Sequence, residues 1–256
     1  MAKSRFYFPA ALDAHQEVDL PEAIAHYATR VLRLKDGADI ILFDGRGGEY
    51  PARLHIQGKT ARATTGQHIA REAELAGHIH LVQGMASGDK MDWIIEKAVE
   101  LGASRVTPVA AEFSVVQLRG TRLERRVQHW RRVAQSASEQ CGRNRIMTVD
   151  RPCTLQQLLE QETPATATAA FLCHPDYGIS LRQAVEHVSP TLAAPEHGTA
   201  PVLRLLVGPE GGWSAQEVSL ADSHGIPAVQ FGTRVLRTET AGLALIAAST
   251  ALLDWG

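Results

Sequence analysis

The chain has 256 residues, enough for one large core or two smaller ones. With 45% hydrophobic and 21% charged residues it has an ordinary globular balance, and its longest apolar run, Ala241–Leu253, is interrupted by Ser249 and Thr250, too short for a membrane span. A net charge of −2 excludes a general basic field for nucleic acid, and the widely spaced Cys141, Cys153 and Cys173 exclude a disulfide framework or a cysteine zinc site.

Met1–Phe6 lacks the apolar stretch of a signal peptide, so the expected location is the cytoplasm. The first seventy residues read as short strands and turns: a helix over Pro21–Val31, a strand over Asp39–Phe43, a turn at Asp44–Gly48 and a returning strand over Glu49–Ile56. A polar stretch, Gly66–Gly77, leads to a different pattern. From Ile79 apolar strands alternate with helices, the signature of a parallel sheet with crossover helices. Strands are expected at Ile79–Gln83 and Arg105–Ala110, with a helix over Asp89–Leu101 between them. Thr121–Glu124 reads as a capping box opening a helix with Leu123, Val127, Trp130, Val133 and Ala137 inward. Strands follow at Ala169–Cys173, Val202–Val207 and Ala228–Phe231, and helices at Leu181–Val188, from Ser214 to Gly225, and over Glu239–Leu253. Ser189–Pro201 reads as a surface connection. The last helix is apolar nearly all round, so the core or a second subunit must cover it.

Charge is unevenly distributed. Between Phe113 and Arg151 nine arginines stand against Glu124, Glu139 and Asp150, a local patch that suits phosphate contact or a solvated helix face equally. None of the eleven histidines falls in a metal-binding motif; His78 and His80 read as a half-exposed strand pair, and no metal is expected.

Three segments hold candidate chemistry. In Val207–Ser214 a buried strand ends, a glycine-rich loop follows and a capped helix begins, a common ligand site in α/β sheets. It matches neither phosphate-binding glycine pattern, and Glu210 at its centre would repel a phosphate. A nucleoside without phosphates, or with a positive charge, fits better; a plain turn with Glu210 at a helix N-terminus reads equally well. Phe231–Ala241 packs two arginines, a glutamate and two threonines between apolar flanks, with Thr238 able to cap the helix. Ala137–Arg145 offers arginine, asparagine and glutamine for RNA, or a helix C-terminus with Gly142 as its stop.

Taken together, V-L-R-L at Val31–Leu34, L-F-D-G at Leu42–Gly45, K-M-D-W-I-I-E-K-A-V-E-L-G at Lys90–Gly102, S-E-Q-C-G-R-N-R at Ser138–Arg145, L-V-G-P-E-G-G at Leu206–Gly212 and R-V-L-R-T-E-T-A at Arg234–Ala241 resemble one family. It is the bacterial 16S rRNA (uracil-N3)-methyltransferase family of the SPOUT superfamily. The resemblance spans nearly the whole chain, with Ser189–Ala200 as a variable insertion. It implies an α/β protein in two parts: a PUA-like RNA-binding β-barrel over residues 1–73, and a SPOUT domain with a deep C-terminal trefoil knot over residues 74–256, for cofactor binding, catalysis and dimerisation.

The implied activity is S-adenosylmethionine-dependent methylation of N3 of one specific uridine in 16S rRNA of the small ribosomal subunit. The implied cofactor residues are Leu172, His174, Val207, Gly208, Pro209, Glu210, Gly211, Gly212, Phe231, Gly232, Val235, Leu236, Arg237 and Thr238. For catalysis Arg234, Arg237 and Glu239 are expected, because a guanidinium suits the charge that develops on uracil O2 and O4 as N3 loses its proton. For RNA the candidates are Arg5, Arg30, Arg33, Glu139, Arg143, Asn144 and Arg145. The family is homodimeric, without membrane or metal partners. The rival readings are a SPOUT enzyme for a ribose 2′-hydroxyl or another base, and a non-catalytic ribosome-assembly protein.

Overall fold

A computed structural model describes residues 3–58, 60–116, 119–161, 169–193 and 200–256. The chain divides into two compact units, Met1–Glu74 with Ser138–Ile146, and Leu75–Ala137 with Met147–Gly256. The segment Ser138–Ile146, which the sequence reading assigned to the second part, thus groups with the first.

The first unit is built on a five-stranded sheet of order β1-β3-β4-β5-β2. β1 (Ser4–Tyr7) runs parallel to β3 (Asp39–Phe43), while β4 (Tyr50–Gln57), β5 (Thr60–Thr65) and β2 (Glu17–Asp19) add antiparallel pairings. Alternation governs which side chains enter the core. Ala61 and Ala63 of β5 are buried, whereas Arg62 between them faces outward to Asp19 and Glu17 at 2.7 and 3.1 Å. Those ion pairs are solvent-exposed and contribute little stability. The core instead draws Phe6, Val18, Leu42, Leu54 and Ala63 from the five strands. The single helix expected over Pro21–Val31 divides into α1 (Glu22–His26) and a π-helical turn, Tyr27–Val31, closed by Leu32 N–H donating to Tyr27 O at 2.9 Å.

In the second unit seven strands pair in parallel in the order β10-β12-β9-β11-β6-β7-β8. The chain lays down β6 (His78–Gly84), α2 (Lys90–Glu100), β7 (Arg105–Val109), α3 (Gly120–Cys141), β8 (Thr148–Val149) and α4 (Leu155–Gln161) in succession. β9 (Ala169–Cys173), β10 (Ile179–Ser180) and α5 (Leu181–Ala193) follow, then β11 (Val202–Val207), α6 (Ala215–Ser223), β12 (Ala228–Gln230) and α7 (Thr238–Leu252). β11 slots between β9 and β6, so the order of laying down breaks there. Ligands in open α/β sheets bind beyond the carboxyl ends of strands at such a break.

One side of this sheet packs Val82, Val109, Leu172 and Leu206 under α4, with Trp213 and Ile226. Against another side lies α7, which approaches β6 so closely that a Cβ at Gly242 would sit 3.2 Å from the Leu81 side chain and the Gln83 side-chain oxygen.

Several expectations change. Thr121 is inside α3, which begins at Gly120, so it opens no capping box. Along α3 the apolar residues that become buried are Val127, Trp130, Ala134 and Ala137, with Leu123 and Val133 half-buried. α5 continues through Pro190 to Ala193, into what was read as a surface connection; residues 194–199 of that connection lie outside the described residues. His78 is exposed, but His80 is 2% exposed, so the two are not a half-exposed pair.

His80 explains the arginine inside β11. Arg204 Nε donates to His80 Nδ1 at 3.4 Å, and His80 Nε2 lies 2.8 Å from Thr107 Oγ1, which hydrogen-bonds to Asp150. Arg105 Nε closes the chain on Asp150 at 2.7 Å. Burial first, then the charges of Arg204 and Arg105, hold the His80 pKa well below its ordinary value. The neutral ring accepts from Arg204 at Nδ1 and donates from Nε2, so each group has a partner of the right kind.

Candidate functional site

The loops leaving β9, β11 and β12 converge on a cavity of about 630 Å³ in the second unit. At its centre is the glycine loop after β11. Gly212 N–H donates to Pro209 O at 2.9 Å, with Gly212 at φ +74. Ser214 then caps α6 in a full capping box: its Oγ accepts from Glu217 N, and Glu217 accepts from Ser214 N at 2.9 Å. Such a cap contributes about 1 kcal/mol and fixes where the loop ends. The loop runs over the end of β6, where a Cβ at Gly84 would lie 2.4 Å from the Pro209 nitrogen. Glycine at this strand end is required by close approach, not by backbone angle.

Thr238 ties the loop after β12 to the glycine loop. Its hydroxyl donates to Gly208 O at 2.6 Å and accepts from Gln83 Nε2 at 2.8 Å. The sequence offered Thr238 as a helix cap; instead Arg237 occupies that position without a side-chain cap, and Thr238 is the first helical residue.

The carboxylate of Glu210 is held by Ser87 N, Ser87 Oγ and Lys90 Nζ at 3.0, 2.7 and 2.8 Å. Burial raises its pKa, but the hydrogen bonds from Lys90 and Ser87 outweigh that and bring it down to about 2. Lys90 is in turn raised, chiefly by its hydrogen bond to Glu210, and its Nζ also lies 3.7 Å from Glu239. Glu239 is 4.0 Å from Arg237 as well. Glu210 therefore anchors its loop to the β6–α2 turn, with its charge matched by a lysine.

Of the residues singled out for the cofactor, His174, Val207 through Gly212, Phe231, Gly232, Val235, Leu236, Arg237 and Thr238 line this cavity, as do Arg234 and Glu239. Leu172 does not; it is 1% exposed and packs in the core beside Leu206. Lys90, Cys173, Asp176 and Trp213 also line the cavity and were not singled out. Lys90 stood in a quoted motif and Trp213 in the Val207–Ser214 segment read as a ligand loop, but no local signal singled out either side chain. Burial pushes the Cys173 thiol up to about 11, which disfavours its thiolate at neutral pH. Trp213 is 7% exposed, and its Nε1–H has no hydrogen-bond partner among the described residues.

The RNA candidates separate into two groups within the first unit. Arg143 is 3% exposed and forks onto Glu74 at 3.0 and 2.5 Å, while the fully buried Asn144 accepts from Arg5 at 2.6 Å and donates to Arg71 O at 2.6 Å. Arg5 also pairs with Glu49, and Glu139 accepts from Tyr7 N at 3.0 Å. These four side chains hold Ser138–Ile146 to β1 and to the segment around Glu74. Arg30 and Arg33 are exposed, with Arg33 in the left-handed region at φ 54. Arg145 is also exposed, 3.8 Å from Glu72.

A family model described as an RNA methyltransferase domain matches residues 73–250, and one described as an RNA methyltransferase PUA domain matches residues 20–65. The chain is 32% identical to ribosomal RNA small subunit methyltransferase E of Synechocystis sp., over 93% of this chain and 74% of that one. It is similar to the structure of ribosomal RNA small subunit methyltransferase E from Neisseria gonorrhoeae bound to S-adenosyl methionine, with 34% identity, full coverage of both chains and a TM-score of 0.85. A Legionella pneumophila structure with its bound cofactor SAM is 27% identical over 98% of both chains, with a TM-score of 0.87.

Proposed function

The chain belongs to the ribosomal RNA small-subunit methyltransferase E family, and from that we infer that the cavity beyond β9, β11 and β12 carries methyl transfer to uracil N3. It is an S-adenosylmethionine-dependent methyltransferase of 16S rRNA. The atom, the uridine and the residue roles that follow are our reading of the site.

The observation that carries the reading is the chemistry of the cavity lining. Close-packed glycine backbone on one side and Phe231, Val235 and Leu236 on another suit a nucleoside, and the buried Trp213 Nε1–H is a donor without an acceptor among the described residues. The lining has no glycine-Lys-Ser/Thr pattern for phosphates, and Glu210 occupies the loop centre. When bound, S-adenosylmethionine supplies an electrophilic methyl group and a neutral thioether leaving group. This chain's residues then need to bind and orient the uracil and stabilise charge on it. Arg234 and Arg237 are exposed at the cavity, and their guanidinium groups suit an anion spread over O2 and O4. Glu239, held between Lys90 and Arg237, suits orientation of Arg237.

The finer architecture is proposed on similar grounds. A closed PUA-like barrel is supported by a first-unit core drawn from all five strands. A trefoil knot is supported by the path of α7: it leaves β12, yet packs against α2, β6 and β11 beyond the glycine loop. A homodimer is supported by exposed apolar residues on α7 and beside it, Leu252 at 36% and Val235 at 76%. A cytoplasmic location is supported by the ribosomal substrate of the family. No helix among the described residues is long and apolar enough to cross a membrane. RNA contact in the first unit falls to Arg30, Arg33 and Arg145, with Arg5, Glu139, Arg143 and Asn144 shaping the surface that carries them.

The test is transfer of labelled methyl from S-adenosylmethionine to small subunits that lack the modification, followed by mass-spectrometric mapping of the product. A single 3-methyluridine is expected. Label on a ribose or on another base would overturn the N3 assignment, and no label with cofactor bound would overturn the catalytic one.

A further inference from the structure

The turn between β6 and α2 serves two places in the second unit. Ser87 and Lys90 reach Glu210 of the glycine loop, whereas Met85, Ala86, Gly88 and Asp89 line a separate groove of about 460 Å³. The opposite wall of the groove is α3, which contributes Arg122, Arg125, Arg126 and His129. Residues 113–116, after β7, also join the two places, since Phe113 packs on Gly211 and Val116 lines the groove.

The basic groups differ in how they are held. Arg126 donates to Gly88 O at 2.9 Å, lies 3.3 Å from Asp92 and stacks over Trp130 at 5.6 Å. His129 Nε2 lies 2.6 Å from Asp92, which also accepts from Trp130 Nε1 at 3.1 Å. Arg122 and Arg125 are exposed, with no ion pair or hydrogen bond among the described residues. With Asp92 shared by Arg126 and His129, Asp89 is the carboxylate in the lining that opposes them. The groove is therefore net positive in a chain of net charge −2.

A solvated helix face would disperse its arginines and pair them along the helix. Here Arg122, Arg125 and Arg126 are like charges at helix-neighbour spacing, which destabilises the helix slightly. They converge on a concave surface with a floor of buried Met85, Met91 and Trp130. Planar guanidinium forks in such a place match phosphate oxygens.

We propose that this groove binds the phosphate backbone of the RNA strand flanking the methylated nucleotide, with Arg122 and Arg125 as the phosphate contacts. The proposal rests on the reading of the chain as an rRNA methyltransferase, because that reading supplies the polyanion. The shared β6–α2 turn sets a bound strand one loop away from the methyl-donor cavity. It also gives RNA a mechanical connection to Lys90 and Glu210.

The experiment compares wild-type protein, an Arg122→Gln/Arg125→Gln double variant and an Arg132→Gln control, whose arginine is exposed on α3 but outside the groove lining. Binding of labelled small-subunit rRNA is measured against salt concentration, and S-adenosylmethionine affinity by calorimetry. Loss of two phosphate contacts on a single strand should flatten the slope of log K against log salt by about 1.4 and weaken binding about tenfold near physiological salt. Cofactor affinity should be unchanged, and the KM for RNA should rise with kcat nearly retained. An RNA affinity and salt slope equal to those of the Arg132→Gln control would overturn the proposal. So would displacement of RNA by polyglutamate as effectively as by unlabelled RNA, which would assign the groove to an acidic protein. Failure of the enzymatic reading looks different: wild-type protein would then bind RNA in this groove without transferring methyl.

Discussion

Lys90 neutralises two carboxylates at once, Glu210 on the glycine loop and Glu239 at the start of α7. Replacing it with methionine keeps its bulk but leaves Glu210 to Ser87 alone and Glu239 only to the more distant Arg237. Because the two acids lie on different loops of the cavity, Lys90→Met should misplace both and lower kcat/KM by roughly 10- to 100-fold. Steady-state methyl transfer beside calorimetry of cofactor binding checks this, and unchanged kinetics would remove Lys90 from the site. Arg237→Ala should act differently. Its side chain is 83% exposed at the cavity, so turnover should fall by about 100- to 1,000-fold while cofactor affinity is retained. An equal loss in both would reassign Arg237 to cofactor binding. The sequence displayed Arg237 openly, as a charge between apolar flanks, but it hid the role of Lys90. The lysine lies 120 residues from Glu210, and no local pattern announces a contact of that range. Arg143 misled in the opposite direction. A surface-looking R-N-R turned out to contain an arginine forked onto a glutamate 69 residues away.

At the level of elements, the second unit was readable wherever burial imposed a pattern. β6, β9 and β11 are buried between neighbours on both edges, so their apolar runs stood out, and the Ser214 box correctly marked where α6 begins. The similar-looking Thr121 box did not cap α3, because a capping pattern fits any residue that happens to precede a helical run. What periodicity cannot convey is how one element crosses another. Gly84 records such a crossing: the glycine loop passes so near this strand end that any side chain must displace it. Gly84→Ala should therefore destabilise the protein by about 1–3 kcal/mol. It should weaken S-adenosylmethionine binding in parallel, as judged by denaturant unfolding and calorimetry on the same preparation. Stability lost without any change in cofactor affinity would mean that the strand end, and not the loop, had given way.

For the whole molecule, buried charge makes stability depend on pH. His80 is neutral in the folded protein, with its pKa held well below 6.5, whereas the unfolded chain takes up a proton near that value. The unfolded state thus binds more protons below about pH 6.5, and stability falls as pH drops through that window. Glu210 adds a second loss at lower pH, beginning below its ordinary 4.5 and complete near 2. His80→Gln should flatten the upper window of a plot of unfolding free energy against pH and leave the lower one; an unaltered slope between pH 6.5 and 5 would show that other groups set it. The division into units has a practical consequence of its own. The first unit is discontinuous in sequence, because Ser138–Ile146 supplies Asn144 to Arg5 and Arg143 to Glu74. A fragment cut at Glu74 would therefore lose a structural wedge it cannot replace, and it should express as an insoluble or poorly cooperative polypeptide, where a soluble, sharply melting fragment would contradict this. The first unit is not a cassette that can be lifted out or exchanged between relatives, and any chimaera has to carry the end of α3 along with it.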